Sequence, residues 1–336
     1  MTEAAVGAEA LSASLSPGLL STLAGNTKVV GAAWMLSSAL FTTYSTTSFL
    51  RHDDGLVDPR SQGTSLLQFN LPRPTLLTLY RFGGSLLLGL LAHPNLHILE
   101  RIRDSTKVLP DFALPAVFLF IANYSNSISL NRIGISLTYT SKCAIPLITV
   151  LLTLLLDGRK AMPSLLTLAS LLQIALGIAG ASWNSPTFET VGFVAAMVSC
   201  AAQSALNVSS KRAISKTGLA GSEAQRAMVA VGFAISILFS LLQPKPSGKN
   251  KFSRMQPPSW LVGMAVTAYH MEYVLSFTFV KLVSPITYGA CDAIRRLCII
   301  ISGRCMFGGA PFSRLNILGI GLALFGALSY SIATNL

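Results

Sequence analysis

GISLTYTSKCAIPLITVLLTLLL, residues 134–156, reads as a membrane-crossing helix with a lysine inside it, and SPITYGACDAIRRLCIIISGRCM, residues 284–306, reads as its second copy with two arginines at comparable depth. About 20 apolar residues cover the hydrocarbon of a bilayer at 1.5 Å per residue, so each stretch is long enough to cross. Working outward from these two, apolar windows bounded by proline, glycine and charge clusters recur near 28–50, 74–93, 110–131, 161–183, 188–208, 224–243, 258–280 and 312–334. The chain is 51% apolar and 11% charged, less than half the charged share of an ordinary soluble domain. The expectation is an all-α polytopic membrane protein of about ten transmembrane helices whose main partner is the lipid bilayer.

The two opening stretches also mark an internal repeat. Ile135–Tyr139 begins one and Ser284–Tyr288 begins the other, and each is followed by a glycine-rich apolar helix, LGIAGAS at 176–182 and LALFGALS at 322–329. Five helices followed by five is an odd-numbered unit, so the copies must be inverted relative to each other. This divides the chain into a disordered lead-in, 1–27, a first repeat, 28–183, and a second repeat, 188–334. Inverted repeats are the architecture of alternating-access carriers that hold substrate near the midplane, where the repeats meet.

A net charge of +12 in a soluble chain would point to nucleic acid. Here the basic residues mostly occupy short links between apolar windows, as membrane topology alone requires, and no nucleic-acid partner is expected. Lysine and arginine are shared almost equally between the two sets of links, which leaves the orientation open. Five cysteines, without a CxxC pair or a histidine cluster, make neither a disulfide framework nor a zinc site; Cys291, Cys298 and Cys305 recur on one helix face as small packing groups. Phosphate-cradling, dinucleotide, HExxH and GxSxG signatures are all lacking, so neither an enzyme nor a cofactor is expected.

Arg81, Lys142, Glu272, Asp292, Arg295 and Arg296 fall inside the expected spans. An ionised side chain at a helix centre costs about 2.5–3.5 kcal/mol even on a lenient scale, so these six must face a wet cavity or one another. Lys142, Arg295 and Arg296 lie near mid-bilayer on the repeat-related pair and suit a multiply charged anion such as phosphate, the arginines as bidentate forks and the lysine as a mobile point charge. Internal pairing is the competing reading. Asp292 precedes Arg295 and Arg296 by three and four residues, the spacing of ion pairs along a helix, and Glu272 is available to Lys142 or to a proton. The five groups near the site carry a net charge of +1 when all are ionised. Arg81 fits either a packing role or a cavity wall. His270 and Tyr273 flank Glu272, either lining the cavity or satisfied by neighbours. Gln203 and Asn207, one turn apart among small residues, read as a helix contact with interhelical hydrogen bonds in preference to a contact with substrate.

At these residues the chain resembles the triose-phosphate/phosphate translocator family, a branch of the drug/metabolite transporter superfamily related to the nucleotide-sugar transporters. Ile135-Ser-Leu-Thr-Tyr-Thr-Ser-Lys142, with Pro146 following, is similar to the family's V-S-F-T-H-T-I-K-x-x-x-P. Val283 through Arg296 matches V-S-P-x-T-H-x-x-x-N-x-x-K-R without a gap, and Asn207-Val-Ser-Ser-Lys-Arg212 resembles N-x-x-S-K-K. The likeness covers roughly residues 70–334. It implies that Lys142, Arg295 and Arg296 bind phosphate, the same three cations that the intramembrane-charge argument selects. Departures fall on the organic half of the site: Asn123 and Asn126 stand where plastid triose-phosphate members carry His and Ser or Thr, Glu272 stands where they carry Tyr with Tyr273 one place away, and Asp292 replaces an Asn.

The resemblance implies an antiporter that exchanges a phosphorylated organic solute for inorganic phosphate, as monomer or homodimer, in a Golgi or endoplasmic reticulum membrane or a plastid envelope. An empty cation-lined cavity would resist reorientation and a loaded one would not. Three rival functions stay open. One is exchange of a nucleotide sugar for a nucleoside monophosphate, with Tyr139, Tyr273 and Tyr288 available to stack on a base. Another is proton-coupled export of uncharged metabolites through Glu272 or Asp292. The third is a membrane scaffold or receptor with no transport, which would tolerate neutralising the buried cations.

Overall fold

A computed structural model describes residues 27–51, 72–91, 98–158, 163–183, 185, 187–217, 221–243, 257–282, 285–308 and 312–333. The lead-in expected over 1–27 lies outside them apart from Thr27. The described chain is helical throughout: α1 (Thr27–Leu36), a π-helical turn (Ser37–Thr42), α2 (Thr43–Arg51), α3 (Arg73–Leu91), α4 (Ile98–Ser141), a 3-10 turn (Lys142–Ala144), α5 (Ile145–Asp157), α6 (Leu165–Ser182), α7 (Thr190–Thr217), α8 (Gly221–Leu242), α9 (Ser259–Leu282), α10 (Pro285–Phe307) and α11 (Arg314–Ala333).

Six helical stretches among the described residues are long and apolar enough to cross a membrane. One of them, Leu109–Leu152, covers the window expected at 110–131 and most of that at 134–156. The chain nevertheless turns inside it. Gly134 sits at φ 75° and ψ 178°, a left-handed conformation that suits a residue without Cβ. The hydroxyls of Ser129 and Thr138 lie 2.8 Å apart, whereas nine residues of straight helix span about 13.5 Å. The two arms of α4 therefore form a hairpin at Gly134. The helix also begins at Ile98, ahead of the window expected from 110, and α7 runs past the expected end at 208 to Thr217. In α10 the four charges Asp292, Arg295, Arg296 and Arg304 dilute the hydropathy that length alone would give.

The large apolar side chains that face outward are those expected to meet lipid. Leu155, Leu165, Trp183 and Leu241 are among the most exposed, an arrangement that water would not tolerate over so wide a surface. The chain is an integral, multi-pass membrane protein.

Helix packing follows the small residues. The glycine-rich α6 and α11 lie against each other, with Gly177 facing the backbone of Ala323 and Gly180 facing Gly319. Close approach of two backbones is how helices associate where the surrounding lipid is as apolar as leucine. Asn316, fully buried at the start of α11, donates through Nδ2 to the carbonyls of Gly180, Ala181 and Trp183 at 3.3, 3.2 and 2.8 Å and so caps the end of α6. α7 presents Ser199 and Cys200 to the hairpin: the Ser199 hydroxyl donates to the Ala122 carbonyl at 2.8 Å and Cys200 Sγ to that of Ser141 at 3.3 Å. The small-residue contact expected on this helix is present. Gln203 and Asn207, expected to bond across helices, instead bond to each other along α7 at 3.2 Å.

Candidate functional site

The backbone around Lys142 is shaped by Pro146. A proline has no N–H, so in a regular helix the carbonyl four residues earlier loses its partner. That carbonyl belongs to Lys142. The chain responds by tightening into the 3-10 turn Lys142–Ala144, in which the Ile145 N–H donates to the Lys142 oxygen. The oxygen keeps a second lone pair, and Arg296 on α10 donates to it through Nη1 at 2.7 Å. Lys142 and Arg296 are thus joined through the backbone of one and the side chain of the other.

Asp292 organises both arginines from one turn away. Its Oδ2 accepts from Arg296 Nη2 at 2.5 Å, and its Oδ1 accepts from Arg295 Nη2 and Nε at 2.7 and 3.0 Å. Arg295 reaches across to α9, where Nη1 donates to Glu272 Oε1 at 2.8 Å, and to α1, where its guanidinium lies 4.9 Å from the centre of the Trp34 ring. The internal pairing weighed from the sequence is therefore real for the arginines. Glu272 pairs with Arg295 and not with the Lys142 that its sign makes available, because Lys142 points its ammonium over the Tyr139 ring at 5.0 Å. Lys142 makes no ion pair among the described residues. A cation held by an aromatic face keeps its N–H donors for another acceptor.

Tyr139 is buried beneath Lys142, and the Tyr273 ring packs on Tyr269 with centroids 4.6 Å apart. Both rings expected to offer a stacking face are engaged within the protein. Tyr288 lies in α10, and its side chain falls outside the described residues. Asn123 turns its amide to the Leu119 carbonyl at 2.9 Å, along its own helix, and Asn126 is buried with Oδ1 lacking a hydrogen-bond partner. His270 pairs through Nδ1 with the Ser85 hydroxyl at 3.0 Å, which satisfies it away from Glu272. Arg81 is buried; its Nη2 donates to the Thr46 hydroxyl and its guanidinium covers the Tyr269 ring at 5.2 Å.

The first span is the part of the site that the sequence did not reveal. Trp34 and Ser38 touch Arg295, and Thr46 touches Arg81. Their sequence signal is the run of hydroxyl residues in SSALFTTYSTTS, residues 37–48, within an apolar window: Ser37, Ser38, Thr42, Thr43, Ser45, Thr46 and Thr47 are all buried, and the π-helical turn falls among them. Hydroxyls packed at that density in a span face protein or a polar cavity rather than lipid. A π-helical turn is a frequent companion of functional sites.

The profile described as Triose-phosphate Transporter family matches residues 65–331. A phosphoenolpyruvate/phosphate translocator 2 of Arabidopsis thaliana is 28% identical over 77% of this chain and 69% of its own length. A phosphoenolpyruvate/phosphate translocator 3 of Oryza sativa subsp. japonica is 30% identical over 78% of this chain and 67% of its own. A glucose-6-phosphate/phosphate translocator 2 of Arabidopsis thaliana is 27% identical over 69% of this chain and 61% of its own.

Proposed function

The chain belongs to the triose-phosphate transporter family, and from that premise we propose that it exchanges a phosphorylated organic solute for inorganic phosphate by alternating access. The observation that carries the reading is the joining of Lys142, Arg295 and Arg296 around one carboxylate and one backbone carbonyl, with the lysine ammonium left without an ion-pair partner among the described residues. Asp292 fixes the two guanidinium planes, and Lys142 supplies the mobile charge. A phosphoryl group entering between them would find planar forks already oriented.

Ten crossings arranged as repeats 28–183 and 188–334 are part of the same proposal. The break at Lys142 then lies where discontinuous helices of inverted-repeat carriers present backbone groups to their cargo. The relatives named for phosphoenolpyruvate and for glucose 6-phosphate share phosphate as the counter-substrate, and this is the part assigned to the present chain. Engagement of Tyr139 and Tyr273 within the protein argues against a base-stacking site for a nucleotide sugar.

The test is uptake of labelled phosphate into proteoliposomes preloaded with phosphate, with protein-free vesicles and an Arg296→Ala variant alongside. Uptake that depends on internal phosphate and is lost in the variant is expected. A folded, inserted protein that moves no phosphate sinks the proposal.

A further inference from the structure

Arg81 is a buried cation outside the cluster of Lys142, Arg295 and Arg296. It sits midway along α3 and is 4% exposed. Its Nη2 donates to Thr46 on α2, its face lies on Tyr269 of α9, and its Nε is buried with no hydrogen-bond partner. No carboxylate pairs with it among the described residues. An arginine serving only to pack α3 against α2 and α9 would be outdone by leucine or methionine, since desolvating a guanidinium against a hydroxyl and a ring recovers little of its hydration.

Its electrostatic surroundings are those of the phosphate site. The Tyr269 ring beneath its guanidinium packs on Tyr273, and Glu272 on the same helix and Tyr139 on α4 are within electrostatic reach of it, as Arg295 and Arg296 are of Tyr139. From α8, Arg226 lies two turns farther along, at Gly89, beside His270, which is held by Ser85. With Arg81 included, the central group comprises Lys142, Arg295, Arg296 and Arg81 against Glu272 and Asp292, a net of two positive charges when all are ionised.

We propose that Arg81 is a specificity-determining residue that offsets the extra carboxylates, so that the cavity is charge-matched to a phosphate dianion and discriminates against the monoanion. This rests on the phosphate-exchange reading above and sharpens it. A dianion brings the group to neutrality and lets the loaded cavity reorient. A monoanion leaves one buried positive charge and no charge leaves two, each opposing passage through the low-dielectric state.

The experiment follows phosphate/phosphate exchange in proteoliposomes with equal pH on both sides, across the interval around neutral pH in which phosphate loses its second proton. Wild-type exchange is expected to rise with pH as the dianion accumulates. Arg81→Gln leaves the site one charge short, so its exchange should peak on the acid side and fall by about tenfold per pH unit above the second ionisation, following the monoanion. Arg81→Lys should keep the wild-type profile, and Arg81→Gln combined with Glu272→Gln should restore the rise with pH. An Arg81→Gln profile of wild-type shape at lower amplitude overturns the proposal and makes Arg81 a packing residue, as does Arg81→Lys failing equally.

If Arg81→Gln does not yield monodisperse protein, Glu272→Gln alone decides. It raises the net charge to three and should favour phosphate esters that also carry a carboxylate over phosphate itself; unchanged preference counts against charge matching. Wild-type protein that exchanges no phosphate removes the underlying function, a result distinct from an unshifted variant profile.

Discussion

Arg296 donates through Nη1 to the backbone oxygen of Lys142 at 2.7 Å, across two helices that the sequence had marked as copies of each other. The same guanidinium holds Asp292 through Nη2. Replacing Arg296 by alanine leaves Asp292 to Arg295 alone and uncovers a carbonyl; because Arg295 still holds the carboxylate, the loss should fall short of the about 3–5 kcal/mol that breaking a buried ion pair from one side costs. Arg296→Ala should lower the thermal unfolding midpoint in detergent as well as abolish exchange. Arg296→Lys keeps the charge but cannot serve both acceptors with one planar fork, so it should remain folded and lose most of its exchange rate. Thermal unfolding and proteoliposome exchange on the same preparations separate the two effects.

Pro146 creates the acceptor that Arg296 uses. In Pro146→Ala an N–H returns at position 146, the 3-10 turn at Lys142–Ala144 can relax to regular helix, and the Lys142 carbonyl exchanges the Ile145 N–H for the one at position 146, turning along the helix axis and away from Arg296. The variant should unfold at a temperature equal to or above that of wild type, while its KM for phosphate rises several-fold because Arg296 loses its anchor. A variant that is less stable but has unaltered KM contradicts this account.

Much of this arrangement was legible in the sequence because burying a charge in lipid is so costly that each intramembrane ion must have a reason. That logic found Lys142, Arg295, Arg296, Asp292 and Glu272 one by one. Spacing also gave the pairing of Asp292 with both arginines, but not the partner of Glu272. Glu272 and Lys142 looked like partners by sign alone, and only the path of α9 past α10 shows that Arg295 lies nearer to the carboxylate. The contribution of Thr46 and Ser38 was hidden for a related reason: hydroxyls bond to the carbonyl one turn back as readily as to a distant partner, so their presence in a span does not declare a site. Asn316 was likewise silent, since one amide in an apolar window carries no spacing from which to infer its three acceptors.

Asp292→Asn restores the residue that the family pattern carries at this position and raises the net charge of the cluster by one. Arg295 and Arg296 keep a hydrogen-bonding neighbour but lose its charge, so their N–H groups become more available to an anion. Phosphate should bind more tightly, with KM falling several-fold. Turnover should fall too, because a bound dianion no longer neutralises the site. Steady-state exchange kinetics over a range of phosphate concentrations would show both changes; a lower KM with turnover at or above that of wild type would show that net charge does not limit reorientation.

The α6–α11 contact gives a prediction that is independent of transport. At Gly177 a Cβ would collide with the backbone of Ala323, and at Gly319 with the backbone of Gly180 and Ala181, so no side-chain rotation relieves either clash. Gly177→Leu must push the two helices apart and should leave a protein that inserts but aggregates on extraction into detergent. Asn316→Ala is gentler. It removes the donor shared by three carbonyls at the end of α6, a loss of about 1–3 kcal/mol by the usual penalty for buried groups left unsatisfied. The unfolding midpoint should drop by a few degrees while KM for phosphate stays at its wild-type value, because α6 and α11 contribute no residue to the cation cluster. A change in KM without loss of stability in Asn316→Ala would mean that this helix pair moves with the site during exchange rather than standing as a fixed frame beside it.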